Sequence, residues 1–385
     1  MDDKKEQDSI DLADLTFNEQ RYICTFLLHA LGDTIGFKNG DWEFNYDKVP
    51  TLDTINEMIY EFIDLGGVNG IDLKDWTISD DTLYHIAIGA SILEYVGKVD
   101  NQFLDIVKTY LIKTYKKILN DEQNNGIKRY QGNATADGIH KLINSTEKQF
   151  ELKYDPTTGG NGCAMRNLCI GLALYQDNKI EELINVSIGT SKLTHSSPIG
   201  YLAGFTSAYF VSLAVRKIHI EKWPKMLIEL LESDFIKKYV NINDNREFMD
   251  YFEYIRYWKK YIDTRFTDDK PIKTRSTSNM IFRIKYYFMN FSKDSIADAI
   301  GGSGFCAMIM AYDALIDCDG LWEKLVFYSM LHPGDSDTVG AIAGGLYGIV
   351  YGFGDVPEKM MCCVEKKSLL IELGKSFYNM FGSSV

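Results

Sequence analysis

Proline is scarce in this chain, seven in 385 residues, and long alternating apolar-polar runs are nearly missing. Few helix breaks favour long helices over a loop-rich architecture. Cysteine is sparse and odd in number: Cys24, Cys163, Cys169, Cys306, Cys318, Cys362 and Cys363 contain no CxxC pair. That excludes a zinc ribbon and a secreted-type disulfide framework, and it fits reduced thiols in a cytoplasmic protein. The formal net charge is −13, and no Lys/Arg run interleaved with aromatics offsets it, which argues against a nucleic-acid partner. The most apolar tract, 339–353, is glycine-rich and shorter than a bilayer span, so it is expected to be a buried helix in a protein without membrane contact. GxSxG and GxxxxGK[ST] do not occur, which excludes a nucleophile-elbow hydrolase and a P-loop phosphotransferase.

What the chain does have is enough apolar material for a large core, 45% of residues with 13% aromatic, and no linker-like stretch. One domain over 18–385 is expected, preceded by a polar, acidic leader over 1–17 without the apolar core of a signal peptide. Periodicity predicts a helix over 18–30 that ends in the turn Gly32-Asp33-Thr34-Ile35-Gly36, a helix over 81–96 capped by Ser79, and one over 103–119 followed by a loop to 133. Further helices are expected over 163–175, 180–188, 199–215, 223–231, 304–318 and 321–330. Segment 241–295 lacks clean periodicity and reads as helix fragments in a long insertion.

Chemistry concentrates in two short clusters, Ser79-Asp80-Asp81-Thr82 and Gly334-Asp335-Ser336-Asp337-Thr338, each ahead of a small-residue helix. Capping alone explains one such carboxylate, but not two neighbouring carboxylates repeated. Together they form a hard-oxygen ligand set suited to Mg²⁺, and meeting without cations would cost repulsion and desolvation. His85 and His332, beside the clusters, read as structural, and His195 in Thr194-His195-Ser196 reads first as a capping or core histidine. The glycine runs 159–162 and 301–304 read as helix-start turns. Two of them in an acidic protein also suit a phosphate-bearing ligand held by backbone amides.

The ordered set Gly32-Asp33-Thr34-Ile35-Gly36, Trp42-Glu43-Phe44, Ser79-Asp80-Asp81-Thr82, Gly160-Asn161-Gly162-Cys163-Ala164-Met165-Arg166, Thr194-His195 and Gly334-Asp335-Ser336-Asp337-Thr338 resembles the ADP-ribosylglycohydrolase family, over 22–382. The resemblance implies an all-α fold, a single large orthogonal helical bundle, with two Mg²⁺ ions in a cleft. It implies Ser79, Asp80, Asp81, Asp335, Asp337 and Thr338 as metal ligands, with Asp337 as the bridge. Glu43 and Asp81 would handle protons or position water. Gly159, Gly160, Asn161 and His195 would meet the distal ribose and diphosphate, and Gly302, Ser303 and Gly304 the other end of ADP-ribose. The pattern is most similar to the arginine-specific branch, which implies removal of ADP-ribose from arginine side chains of modified proteins by a monomeric hydrolase. Two alternatives stay open: a non-catalytic relative of the same fold, and a hydrolase of serine- or ester-linked ADP-ribose. One departure stands out, Phe305-Cys306-Ala307-Met308 where that branch usually reads His-Asp-Ala-Pro.

Overall fold

The structure, a computed structural model, describes residues 15–44, 52–95, 101–145, 150, 152–241, 243–274, 277–292 and 300–382. Of the expected leader, 1–14 lie outside the described residues. The helices of eight residues or more are Phe17–Phe37 (α1), Leu52–Asp64 (α2), Asp80–Glu94 (α3), Asn101–Asn125 (α4), Asn133–Asn144 (α5), Ile180–Lys192 (α6) and Pro198–Val215 (α7). They continue with Trp223–Leu231 (α8), Asn245–Arg265 (α9), Met280–Phe291 (α10), Gly304–Asp317 (α11), Trp322–Ser329 (α12), Ser336–Tyr351 (α13) and Lys367–Phe381 (α14). The strands described are one short antiparallel pair, Phe266–Thr267 and Lys270–Pro271, so the all-α expectation holds. Local chemistry sets several starts. Thr16 and Glu19 form a capping box for α1, Ser197 caps α7 ahead of Pro198, and Asp244 accepts the Arg246 and Glu247 amides at the start of α9.

Helix α7 is the one helix among the described residues long and apolar enough to cross a membrane, yet all of it is buried. It is the central helix of the core, apolar all round because other helices cover every side.

Helix α1 does not stop before Gly32. It runs through the expected turn to Phe37, because those glycines serve close approach rather than chain reversal. A Cβ on Gly32 would lie 2.1 Å from the Gly340 carbonyl oxygen, and one on Gly36 2.2 Å from that of Ser336. On the other helix, Cβ atoms on Gly344 and Gly348 would lie 2.1 Å and 2.4 Å from the carbonyl oxygens of Leu28 and Cys24. Each contact steps one turn forward along α1 and one turn back along α13, so the two helices run antiparallel with backbones touching over four turns. Gly32→Ala is therefore expected to cost about 1–3 kcal/mol through overpacking. Urea denaturation measures it against Gly70→Ala, whose added Cβ meets nothing within 4 Å.

Other boundaries also shift. Helix α4 continues to Asn125, shortening the expected loop. The helix expected over 163–175 shrinks to Leu168–Ala173, because Asn161 to Asn167 form a run of turns whose buried polar groups bond outward rather than along a helix. Segment 241–295 holds two full helices, α9 and α10, joined by the strand pair.

Candidate active site

The antiparallel contact brings the start of α13 against the end of α1, and α3 begins beside them. Asp33, fully buried on α1, makes that second junction: its carboxylate oxygens accept the Ser79 amide at 3.0 Å and the Thr82 amide at 3.2 Å, and also the Thr82 hydroxyl. Burial pushes the Asp33 carboxyl up to about 6 despite those donors. Ser79 caps α3 through its Oγ, which accepts the Asp81 amide at 3.1 Å. Arg129, itself buried, donates to the Ile78 carbonyl and to Glu365 and Asp121, anchoring the backbone just before the cap.

These junctions carry Asp80, Asp81, Asp335, Asp337 and Thr338 to the wall of one cavity of about 540 Å³, within the range of small-molecule sites. Glu43 joins them from the segment after α1. Carboxylate oxygens of Glu43, Asp335 and Asp337 lie within 4.8 Å of one another, a group able to hold a metal ion. Glu43, expected to handle protons, thus also stands within the metal-capable group. Ser79 is fully buried behind the two aspartates that follow it.

The residues fit a hard cation on their own chemistry. Glu43 Oε2, Asp80 Oδ2, Asp81 Oδ2 and Asp335 Oδ1 are buried with no hydrogen-bond donor. Burial, then repulsion from neighbouring carboxylates, pushes Asp80, Asp81 and Asp337 well above the usual carboxylate range, and pushes Glu43 up to about 9. Oxygen atoms that burial strips of water and that no donor serves are ones a divalent cation can satisfy. No histidine or cysteine joins the described metal-capable group, which speaks against zinc.

Of the residues expected to meet substrate, Gly160, Asn161, His195 and Gly302 line the cavity. Gly159, Ser303 and Gly304 stand behind the lining and join the two glycine loops: the Gly304 amide donates to the Gly159 carbonyl at 3.0 Å, and Gly160 bridges Ser303. Those loops meet across about 140 residues of chain, and glycine at 304 permits the approach: a Cβ there would lie 2.3 Å from the Ile199 carbonyl oxygen and 3.3 Å from that of Gly160. Asn161 does more than line: its Nδ2 donates to the Gly301 carbonyl and to Asp335 Oδ2, both at 2.8 Å, which ties the glycine-loop side of the cavity to the acidic cluster. Sequence spacing gave no signal for that brace, nor for the junction at Asp33, which lies in a segment read as a turn.

The bland readings hold for two histidines. His85 is buried, stacked on Phe26 at 4.8 Å and close to His29, and His332 Nδ1 accepts the Gly334 amide in the turn before Asp335. His195, by contrast, faces the cavity. The unusual Phe305-Cys306 pair points inward: Phe305 stacks on Tyr257 at 3.9 Å, and Cys306 Sγ accepts the Gly301 amide at 3.2 Å. Neither lines the cavity, and Cys306 instead latches the glycine loop.

The family model for ADP-ribosylglycohydrolase matches residues 15–384. A protein of Acanthamoeba polyphaga mimivirus named as an ADP-ribosyl glycohydrolase is 36% identical over 326 residues. That alignment takes in 84% of this chain and 62% of the viral protein, so the chain spans less than two-thirds of that relative's length. ADP-ribosylhydrolase ARH1 of Dictyostelium discoideum is 31% identical over 389 residues, covering 94% of this chain and 95% of that protein. ADP-ribosylhydrolase ARH3 of Bos taurus is 28% identical over 59% of each chain. A solved structure titled ADP-ribosylglycohydrolase-related protein complex shares the fold, with a TM-score of 0.57 and 17% identity over 95% of this chain and 99% of its own. The fold, the acidic cluster beside a nucleotide-sized cavity and a match over nearly the whole sequence make this chain a member of the ADP-ribosylglycohydrolase family.

Proposed function

We propose that this protein hydrolyses the bond between ADP-ribose and an arginine side chain of a modified protein, using two Mg²⁺ ions. One observation carries the reading: carboxylate oxygens without donors converge at one wall of a cavity large enough for a nucleotide. In this reading Asp80, Asp81, Asp335 and Asp337, with the hydroxyls of Ser79 and Thr338, would hold the ions, Asp337 being the shared ligand that the resemblance implies. Bound there, the ions supply charge stabilisation and a water of lowered pKa. Asp81 would orient the attacking water, and Glu43 would take its proton as the oxygen bonds to C1″ of the ribose. The C1″–N bond breaks, its electron pair goes to the guanidine nitrogen, which takes the proton Glu43 holds, and ADP-ribose is released. Asn161 keeps Asp335 in place throughout, while Gly160 and His195 hold the distal ribose and diphosphate.

Arginine specificity draws its support from the sequence pattern and from the ARH1 relative of Dictyostelium discoideum. The test is a panel of arginine-, serine- and glutamate-linked ADP-ribosyl proteins assayed with Mg²⁺ and after chelation. Release from the arginine-linked substrate alone, lost on chelation, is expected. A folded preparation that binds ADP-ribose yet releases none from that substrate sinks the arginine reading.

A further inference from the structure

His195 is almost fully buried, and one edge of its ring faces the cavity. Its Nδ1 lies 2.8 Å from Thr194 Oγ1. That oxygen in turn accepts a hydrogen bond of 2.7 Å from Nη2 of Arg166, which is fully buried. Arg166 is held by two further bonds, to the Gly162 and Thr190 carbonyls, each at 3.2 Å. A guanidinium only donates, so Thr194 Oγ1 acts as its acceptor and keeps its single hydrogen to give away. The imidazole nitrogen 2.8 Å off is where that hydrogen goes. A proton on Nδ1 would have to use the second lone pair of an oxygen already taking a hydrogen bond from a cation, and it would turn the hydroxyl hydrogen to the weaker acceptor Cys163 Sγ.

The proton of a neutral ring therefore belongs on Nε2. That nitrogen lies beside the glycine loop: a Cβ on Gly162 would come within 3.3 Å of it, and one on Gly160 within 3.7 Å. Glycine at both positions leaves the N–H an open path to a ligand. The ring also stays neutral, since burial, and then the charge of Arg166, hold its pKa down at about 3. Among the described residues lining the cavity, Lys141 is the one lysine or arginine. A phosphate-bearing ligand must then be recognised mainly by neutral donors of fixed direction, and a histidine free to swap tautomers would present a lone pair part of the time.

We propose that Arg166 and Thr194 are positioning residues that lock His195 as its Nε2–H tautomer, so that the ring offers one fixed neutral donor to an acceptor oxygen of the bound nucleotide. The proposal rests on the ADP-ribose reading of the cavity for its ligand. It does not depend on which bond is cleaved.

The test uses Thr194→Val, which keeps the side-chain shape without the hydroxyl, and Thr194→Ser, which restores the hydroxyl. Nitrogen-15 histidine spectra of the metal-free protein, with the His195 signals identified by their loss in His195→Gln, read the tautomer directly. Wild type and T194S are expected to carry the proton on Nε2 alone, and T194V a mixture. Calorimetric titration with ADP-ribose is expected to show about tenfold weaker binding for T194V and wild-type binding for T194S. Mg²⁺ affinity should stay unchanged in both, which a general loss of folding would not spare. A wild-type proton on Nδ1 overturns the proposal, and so does a T194V protein with unaltered tautomer or unaltered ADP-ribose affinity. Should wild type fail to bind ADP-ribose, the ligand reading fails with it, while the spectra still report the lock.

Discussion

Asp337→Asn is expected to lower Mg²⁺-dependent hydrolysis by at least about a hundredfold while making the metal-free protein more stable. The first effect follows from the proposed bridging position: several kcal/mol of charge stabilisation depend on ions held there, and each 1.36 kcal/mol is tenfold in rate. The second follows from electrostatics already present without metal. Burial, then Glu43, Asp81 and Asp335, raise the Asp337 pKa well above the ordinary carboxylate value. The folded state therefore binds its proton more tightly than the unfolded chain does. The stability this group contributes is complete below the unfolded pKa and is lost as pH rises through the folded one. At neutral pH the carboxyl ionises freely in the unfolded chain while the folded cluster resists that ionisation, and an amide of the same shape removes this penalty on folding.

Thermal unfolding in chelator at pH 7 should place D337N above wild type, with a flatter dependence on pH. Added Mg²⁺ should reverse the order. Wild type gains about 2.7 kcal/mol at a ligand concentration one hundred times Kd, and the variant gains little. A variant no more stable than wild type in chelator would mean that the acidic cluster is relieved by something other than cations. Such exchange of stability for function is what crowded like charges at an active site produce.

Much of this site was legible because its carboxylates sit at helix starts, where Ser79 and the paired aspartates have a recognisable form. The site's supports were not. Asp33 acts from the middle of α1, inside a glycine segment that reads equally as a turn. Only the partner helix, some 300 residues away, shows that Gly32 and Gly36 are there to admit backbone. Asn161 and Arg166 could be suspected of touching ligand. That one braces Asp335 and the other grips Thr194 depends on bonds of 2.8 Å and 2.7 Å between segments distant in sequence. Spacing along a chain carries no such information.

Segment 241–295 was obscure for a different reason. Along α9 the residues Glu247, Tyr251, Tyr254, Trp258, Tyr261 and Arg265 are buried at intervals of three and four, a regular helical face. It escapes an apolar count because two members are charged and three are tyrosines. The charges are met inside. Asp313 of α11 accepts from Arg265 Nε and the Tyr261 hydroxyl on one oxygen, both at 2.7 Å, and from Arg283 Nη2 and the Tyr287 hydroxyl on the other, both at 2.6 Å. Asp317, one turn on, takes a further arm of each arginine, Nη2 of Arg265 and Nη1 of Arg283, while Nη1 of Arg265 donates to the Ile272 carbonyl. Burial alone would raise the Asp313 pKa, but Arg283 and Arg265 hold it below the usual range.

Asp313→Ala leaves two buried guanidinium groups with Asp317 as their one remaining carboxylate, beside the carbonyls of Ile272 and Thr277. Breaking a buried ion pair from one side costs about 3–5 kcal/mol, and that loss is expected here as a lower urea midpoint with an unchanged slope. Asp313 lies about two and a half turns from the start of α11, where the glycine loop meets the cavity. The fraction still folded should therefore bind ADP-ribose and Mg²⁺ as wild type does. If D313A instead weakens ADP-ribose binding at temperatures where it remains folded, the α9–α10 segment reaches the cavity through α11, and its role extends beyond holding the bundle together.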